Sequence, residues 1–333
     1  MRYFVTGASG FIGRNLVWYL AKNNEFVKII LRKKEDERFF SMYKNISIIF
    51  GGLEDLKEKD LKDIDIVYHL AARRGGVKVS LEDYRYTNVY LTKILLDLSV
   101  KNNVKKFVFC SSVSVMGHIK IKPADETYGY NPATKYGISK MEAEKLVITY
   151  GKNMINTTII RPVITYGPED EWGMLTKLIR LIYNHKYATV GNGNNTVHLC
   201  YIDDMIQGLI KGANVNKSNG IYIIAGEKEI SINELVDIIK EKLQNKDIII
   251  HVPLFIVKKI ASILKFLIDK KIVKFDDKAP VITHDSINIM ALDRSYSIEK
   301  SKIELGYKPN IDYKQGIDKT LEWFFYNKIR KRD

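Results

Sequence analysis

Cysteine is nearly missing from this chain: Cys110 and Cys200 are the only two in 333 residues. Two thiols cannot build a disulfide framework, and neither stands at metal-ligand spacing, so a disulfide-stapled scaffold and a zinc module are both excluded and no metal is expected. Both lie in apolar stretches and are expected as small core residues. Proline is scarce as well, with 7 residues scattered along the chain and no Pro-rich linker. No apolar run is long enough to span a bilayer. No segment is of low complexity, and no repeat recurs. The first residues enter a strand pattern without a basic leader, which makes the cytoplasm the expected compartment.

Acid is in deficit. Lys and Arg number 53 against 39 Asp and Glu, a formal charge of +14. The lysines run along the whole chain with no RNA-binding motif beside them, so a solvated basic surface is expected rather than a nucleic-acid partner. A positive field also suits a phosphate-bearing cofactor or substrate. Hydrophobic residues at 46% and charged residues at 28% are ordinary for a globular protein. The length suits roughly two packed units.

The first two-thirds alternates short apolar runs with amphipathic stretches, the pattern of βαβ units and a parallel sheet. Strands are expected at Tyr3–Val5, Val27–Leu31, Ile46–Phe50, Ile64–His69, Lys106–Cys110 and Ile155–Arg161. Helices are expected at Phe11–Asn23, Leu81–Lys101 and Pro132–Tyr150, the last with Pro132 in its first turn. Further on, Glu171–His185 is expected as a helix, Asp203 as the N-cap of another, and Gly220–Ala225 as a strand. Ser231 with Glu234 has capping-box spacing. The fold class is therefore α/β: a Rossmann-type, doubly wound parallel sheet with a smaller mixed α/β C-terminal lid. The expected division is a nucleotide-binding domain over 1–168, to which 193–225 returns, and a substrate lid over 169–192 and 226–333.

Three glycines, Gly7, Gly10 and Gly13, stand between the first strand and the first helix. Glycine is needed there because the chain turns sharply, brings backbone N–H groups up to a pyrophosphate and packs helix against strand. The phosphate charge then meets the positive end of the helix. Phe11 and Ile12 complete this expected cofactor loop. At the end of the second strand a carboxylate would bond the ribose of NAD, and a cation would take the 2′-phosphate of NADP. Arg32 stands there, which favours NADP; Glu35 or Asp36 just beyond could instead contact the ribose.

Tyr136 and Lys140 are one helical turn apart and share a face. An ammonium beside a phenol favours phenolate and lowers its pKa, giving a general acid/base for a substrate hydroxyl. Tyr296 and Lys300 repeat the spacing, but only Tyr136 has Ser111 and Ser112 upstream at the carboxyl end of a buried strand, where parallel sheets bind ligands. The second pair is expected at the surface.

These residues resemble the extended short-chain dehydrogenase/reductases, also called the NAD-dependent epimerase/dehydratase family. The likeness runs from Met1 to about Trp323. It is carried by the glycine loop, His69-Leu70-Ala71-Ala72, Thr87-Asn88-Val89, Ser111 to Gly117, the Tyr136/Lys140 pair, Arg161 to Pro168 and Tyr201-Ile202-Asp203-Asp204. The resemblance implies that Tyr136 is the proton acceptor and donor, Lys140 its tuning partner and ribose ligand, and Ser112 the substrate-polarising hydroxyl. Ser112 is chosen because it falls five places before Gly117. Ala71 and Ala72 would line the cofactor, NAD or NADP, with Asn88 nearby. His69 is expected as a core residue and Arg161 as a structural one. Relatives commonly dimerise through helices placed at 81–101 and 132–150, so a homodimer is implied.

Three departures bear on the chemistry. Val113-Ser114 follows Ser112 where 4,6-dehydratases carry an Asp-Glu pair, so that subclass is disfavoured. Ile164 stands where nucleotide-sugar enzymes often have an Asn that contacts substrate phosphate, and Gly52 replaces an Asp that contacts adenine. The stretch Pro253–Phe275 is expected as a basic amphipathic helix, with Ile256, Ile260, Ile263, Leu264, Leu267 and Ile268 on one face. Such a helix packs on a core, lines an apolar substrate pocket, or rests peripherally on an anionic membrane. Three functions follow: a nucleotide-sugar epimerase or reductase, first; a dehydrogenase of a bulkier apolar alcohol, related to 3β-hydroxysteroid or terpenoid enzymes, second; a non-catalytic nucleotide sensor, or an RNA-binding relative, third.

Overall fold

A computed structural model describes residues 1–75, 79–269 and 292–330. Seven parallel strands form the central sheet: β1 (Arg2–Thr6), β2 (Phe26–Leu31), β3 (Ile46–Phe50), β4 (Ile66–His69), β5 (Lys106–Cys110), β6 (Thr157–Pro162) and, later in the chain, Gly220–Ile224. Their order places β4 beside β1 and β3 at one edge, with Gly220–Ile224 at the other. The order reverses between β1 and β4, which opens a crevice at their carboxyl ends.

Helices α1 (Phe11–Lys22), α2 (Leu81–Arg85), α3 (Leu91–Lys101) and α4 (Lys135–Asn153) connect the strands. Alternate strand residues point to opposite faces. Val5, Tyr68, Val108 and Ile160 pack with Leu16, Val17 and Leu20 of α1. Phe4, Val67, Phe107 and Ile159 pack with Leu91, Leu95, Ala143 and Val147 on the other side. Both faces are therefore covered, the condition for an all-parallel sheet. Cys110 and Cys200 are buried free thiols, as expected.

Several local expectations change. The helix foreseen over 81–101 is interrupted by a π turn at Tyr86–Tyr90, which draws Asn88 inward. Helix α4 begins at Lys135 rather than Pro132, because Thr134 supplies the cap, accepting the Gly137 N–H at 3.0 Å. Asp203 is not an N-cap: that helix runs Ile202–Asn214 with Tyr201 at the cap position, and the neighbouring Asp204 carboxylate instead accepts the N–H groups of Asn310 and Ile311. Ser231 does cap its helix, accepting the Glu234 N–H at 3.1 Å. Of the second pair, Tyr296 is not at the surface, whereas Lys300 is half-buried over the Tyr222 ring. Tyr296 is buried and stacks on His198, with ring centroids 6.3 Å apart.

The helix foreseen at 253–275 is observed over Leu254–Asp269, and 270–275 lie outside the described residues. Its core contact is made by Val257 and Ala261. The expected isoleucine face is turned outward instead: Ile256, Ile260 and Ile263 are exposed, alongside Phe255 and Phe266. Among the described residues, the small buried patch holds Val257 and Ala261 with Val190, Val252 and Leu254 against them, so one narrow stripe suffices. No helix among the described residues is long and apolar enough to cross a membrane.

Candidate active site

The turn after β1 is built by absence of side chains. Gly7 has φ +69°, and a Cβ on it would stand 2.7 Å from the Ala71 nitrogen at the end of β4. A Cβ on Gly13 would lie 2.1 Å from the Gly7 carbonyl oxygen, so only glycine lets α1 approach the loop this closely. Gly10 occupies the N-cap position without a side-chain cap, and α1 has no acid in its first turn. Uncapped N–H groups at a positive helix end suit an anion. The residues present therefore fit a dinucleotide pyrophosphate. Phe11, Ile12, Ala71 and Ala72 are half-buried around this loop.

At the crevice edge Arg32 is exposed, and its guanidinium stands 3.9 Å from Glu54.

Ser112 follows β5 and caps the short turn Val113–Met116, accepting the Ser114 N–H at 3.2 Å. A Cβ on Gly137 would meet the Ser114 carbonyl at 2.7 Å, so this glycine lets the start of α4 press against the turn that holds Ser112. This approach brings Tyr136 toward Ser112, whose hydroxyl favours the ionised phenol. The edge of the Tyr136 ring meets Tyr84, with centroids 6.5 Å apart. Lys140 is almost fully buried; its ammonium donates to the Cys110 carbonyl at 2.6 Å and lies 4.3 Å from the Phe109 ring centre.

The electrostatics depart from the sequence expectation. Burial pushes the Tyr136 phenol up to about 12, while the Arg74 charge and the Ser112 hydroxyl pull it back. Burial also brings Lys140 down to about 8. Desolvation outweighs attraction here because both groups leave water for an apolar wall. In the protein by itself Tyr136 is a neutral phenol.

Asn88 has both its amide and its carbonyl engaged: it accepts the Arg73 N–H at 2.8 Å and donates to the Arg73 carbonyl at 3.1 Å and to Ser139 Oγ at 2.9 Å. It thereby ties the loop after β4 to the helix turn between Tyr136 and Lys140. That loop carries Arg74, which sequence reasoning missed. Its charge acts on Tyr136, Lys140 and Asp170, the last a carboxyl raised to about 6 by burial. The signal was present as two arginines directly after Ala71-Ala72, but nothing in their spacing says which way they face.

His69 is wholly buried and bridges three elements. The Thr92 hydroxyl donates to the Asn88 carbonyl at 2.8 Å, so the ring Nε2 must donate to Thr92 Oγ1 at 2.8 Å and Nδ1 accepts from Thr6 at 2.7 Å. The neutral ring satisfies every partner, and burial holds its pKa at about 3, down from 6.5. Between these values the unfolded chain binds a proton that the folded chain does not. Stability is complete above the unfolded value and falls as pH drops from 6.5 toward 3. The expected loss from this group between neutrality and pH 5 is about 2 kcal/mol. Urea unfolding of the parent and of His69→Gln at both pH values measures it, and an equally steep loss in the variant would refute the assignment.

Crevice, glycine loop and Ser–Tyr–Lys cluster together define an enzyme of the extended short-chain dehydrogenase/reductase type. The NAD dependent epimerase/dehydratase family matches residues 3–225, and the chain belongs to that family. It is 29% identical, over 97% of this chain and 98% of the other, to a protein of Methanocaldococcus jannaschii provisionally assigned as a UDP-glucose 4-epimerase. It is 28% identical to the dTDP-D-glucose 4,6-dehydratase of Dictyostelium discoideum, over 98% and 82% of the two chains. The fold is shared with the UDP-glucuronic acid 4-epimerase of Bacillus cereus in complex with NAD, with a TM-score of 0.80, 24% identity and coverage of 98% and 99%.

Proposed function

We propose that this chain is a nucleotide-sugar epimerase that inverts a secondary alcohol of its sugar. The observation that carries this reading is Ser112 set beside Tyr136, where it acts on the phenol, and followed by Val113 and Ser114. A hydroxyl and a phenol together can hold and deprotonate an alcohol. Elimination of water needs a further acid and base, and neither residue after Ser112 is a carboxylate. This favours an epimerase over a dehydratase.

In this reading Tyr136 first gives up its own proton to solvent, then as phenolate takes the proton from the substrate hydroxyl and later returns it, while Ser112 holds the reacting oxygen. Lys140 and Arg74 supply positive charge that favours the phenolate as it forms. Gly7, Gly10, Phe11, Ile12 and Gly13 would hold the pyrophosphate of NAD, Ala71 and Ala72 its inner wall, and Lys140 the ribose, with Asn88 fixing the loop beside them. The bound nicotinamide supplies a reversible hydride acceptor. Ile164 offers no amide to the substrate phosphates, which leaves the cationic Arg74 loop to meet them.

Incubation with NAD and UDP-glucose, UDP-N-acetylglucosamine or UDP-glucuronic acid, followed by NMR, tests the proposal. The expected result is an epimer without net NADH. Accumulation of NADH without an epimer, or loss of water, rejects it. A dehydrogenase of an apolar alcohol is the second reading, supported by the exposed Phe255, Ile256, Ile260, Ile263 and Phe266; net NADH formed from such an alcohol is its mark.

A further inference from the structure

Strands β2 and β3 pair in parallel with Leu31 opposite Phe50, and the Gly51 N–H donates to the Leu31 carbonyl at 2.9 Å. Arg32 and Gly52 therefore leave neighbouring strand ends at the same rim of the crevice. This rim is where a parallel nucleotide-binding sheet tells a ribose hydroxyl from a 2′-phosphate: a carboxylate bonds the hydroxyl and a guanidinium takes the phosphate. Considered alone, Arg32 is a phosphate reader.

The fold adds a second charge. Residue 52 has no side chain, and the space beyond its Cα is filled by Glu54. A Cβ on Gly52 would lie 2.4 Å from Glu54 Cδ and 2.5 Å from each carboxylate oxygen. The short turn Leu53–Asp55 folds Glu54 back over the glycine, and Asp55 closes that turn by accepting the Gly52 N–H at 2.7 Å. In this position Glu54 Oε2 stands 3.9 Å from Arg32. Both side chains are substantially exposed, so the pair contributes little to stability. Its consequence is the negative charge it places at the rim. Of the two lysines that follow Arg32, Lys34 lies over the Phe50 ring, 6.0 Å from its centre.

We propose that Glu54, seated over Gly52, is the cofactor-discriminating residue of this chain. Its carboxylate partly neutralises Arg32, accepts a hydrogen bond from a ribose hydroxyl and repels a 2′-phosphate, so the crevice takes NAD in preference to NADP. The carboxylate that β2 lacks at its own end is delivered from beyond β3. This reverses the preference that Arg32 alone implies. It rests on the family's dinucleotide site and is independent of the sugar substrate.

The test is binding of NADH and of NADPH to the purified full chain, followed by tryptophan quenching and calorimetry. The parent is expected to bind NADH more tightly. Glu54→Gln should raise the NADPH-to-NADH affinity ratio about tenfold, the effect of removing one like charge beside a phosphate. Adding Arg32→Gln to that variant should abolish the gain. A parent that prefers NADPH, or an affinity ratio that Glu54→Gln leaves unchanged, overturns the proposal.

Discussion

Tyr136→Phe is expected to lower kcat by about 10²–10⁴-fold, the contribution of one positioned general acid/base, while the thermal midpoint stays close to that of the parent. Only the hydroxyl is removed. The ring keeps its edge contact with Tyr84, and Ser112 keeps the Ser114 N–H. Because burial holds the phenol at about 12, the parent's proton-accepting step should quicken as pH rises toward that value and phenolate becomes more abundant. The residual rate of the phenylalanine variant should lack this slope. Lys140 titrates earlier, at about 8, so its charge is present at neutrality and fades above that point. Steady-state kinetics across pH, with circular dichroism of both proteins, provide the measurement. Full turnover in the variant would remove Tyr136 from the mechanism and leave the fold untouched.

The largest effect on stability is expected at Arg161. Its Nε and one terminal nitrogen donate to the two oxygens of Glu144 at 3.0 and 2.8 Å, and the Tyr130 hydroxyl donates to the same carboxylate at 2.9 Å. Both charged side chains are almost wholly buried, at 3% and 0% exposure. The pair joins β6 to α4 one helical turn beyond Lys140, so it braces the helix that carries the Tyr136 cluster. A buried charge left without its partner is costly. Arg161→Met should cost about 3–5 kcal/mol, whereas replacing both residues by Met and Leu should cost much less, because no lone charge then remains. Urea unfolding of the single and double variants decides the matter. A single variant as stable as the parent would show that Glu144 finds water or another cation, contrary to the packing described.

The local devices were legible along the chain. Glycine spacing after an apolar strand announces a phosphate loop because only residues without Cβ permit that turn, and Gly7 and Gly13 have the expected close backbone approaches. Tyr136 and Lys140 share a helix face because the period of the helix says so. Ser112 is placed by the end of its strand. Arg161 was expected as a structural residue, though Glu144 as its partner was not foreseen.

Where the outcome differed, it depended on neighbours distant in sequence. Glu54 fills the space over Gly52 and meets Arg32 only because β2 and β3 lie side by side. Tyr296 is buried by His198, a residue far back in the chain. The outward turn of Ile256 and Ile260 follows from which stripe of their helix found a core, a choice that apolar periodicity leaves open. The direction of the Tyr136 shift belongs to the same class, since spacing places an ammonium nearby while the depth of burial decides which influence prevails. Short-range steric and periodic rules were thus settled by the order of residues alone. Desolvation, and the filling of space by side chains from other strands, depend on distances that only the folded chain defines.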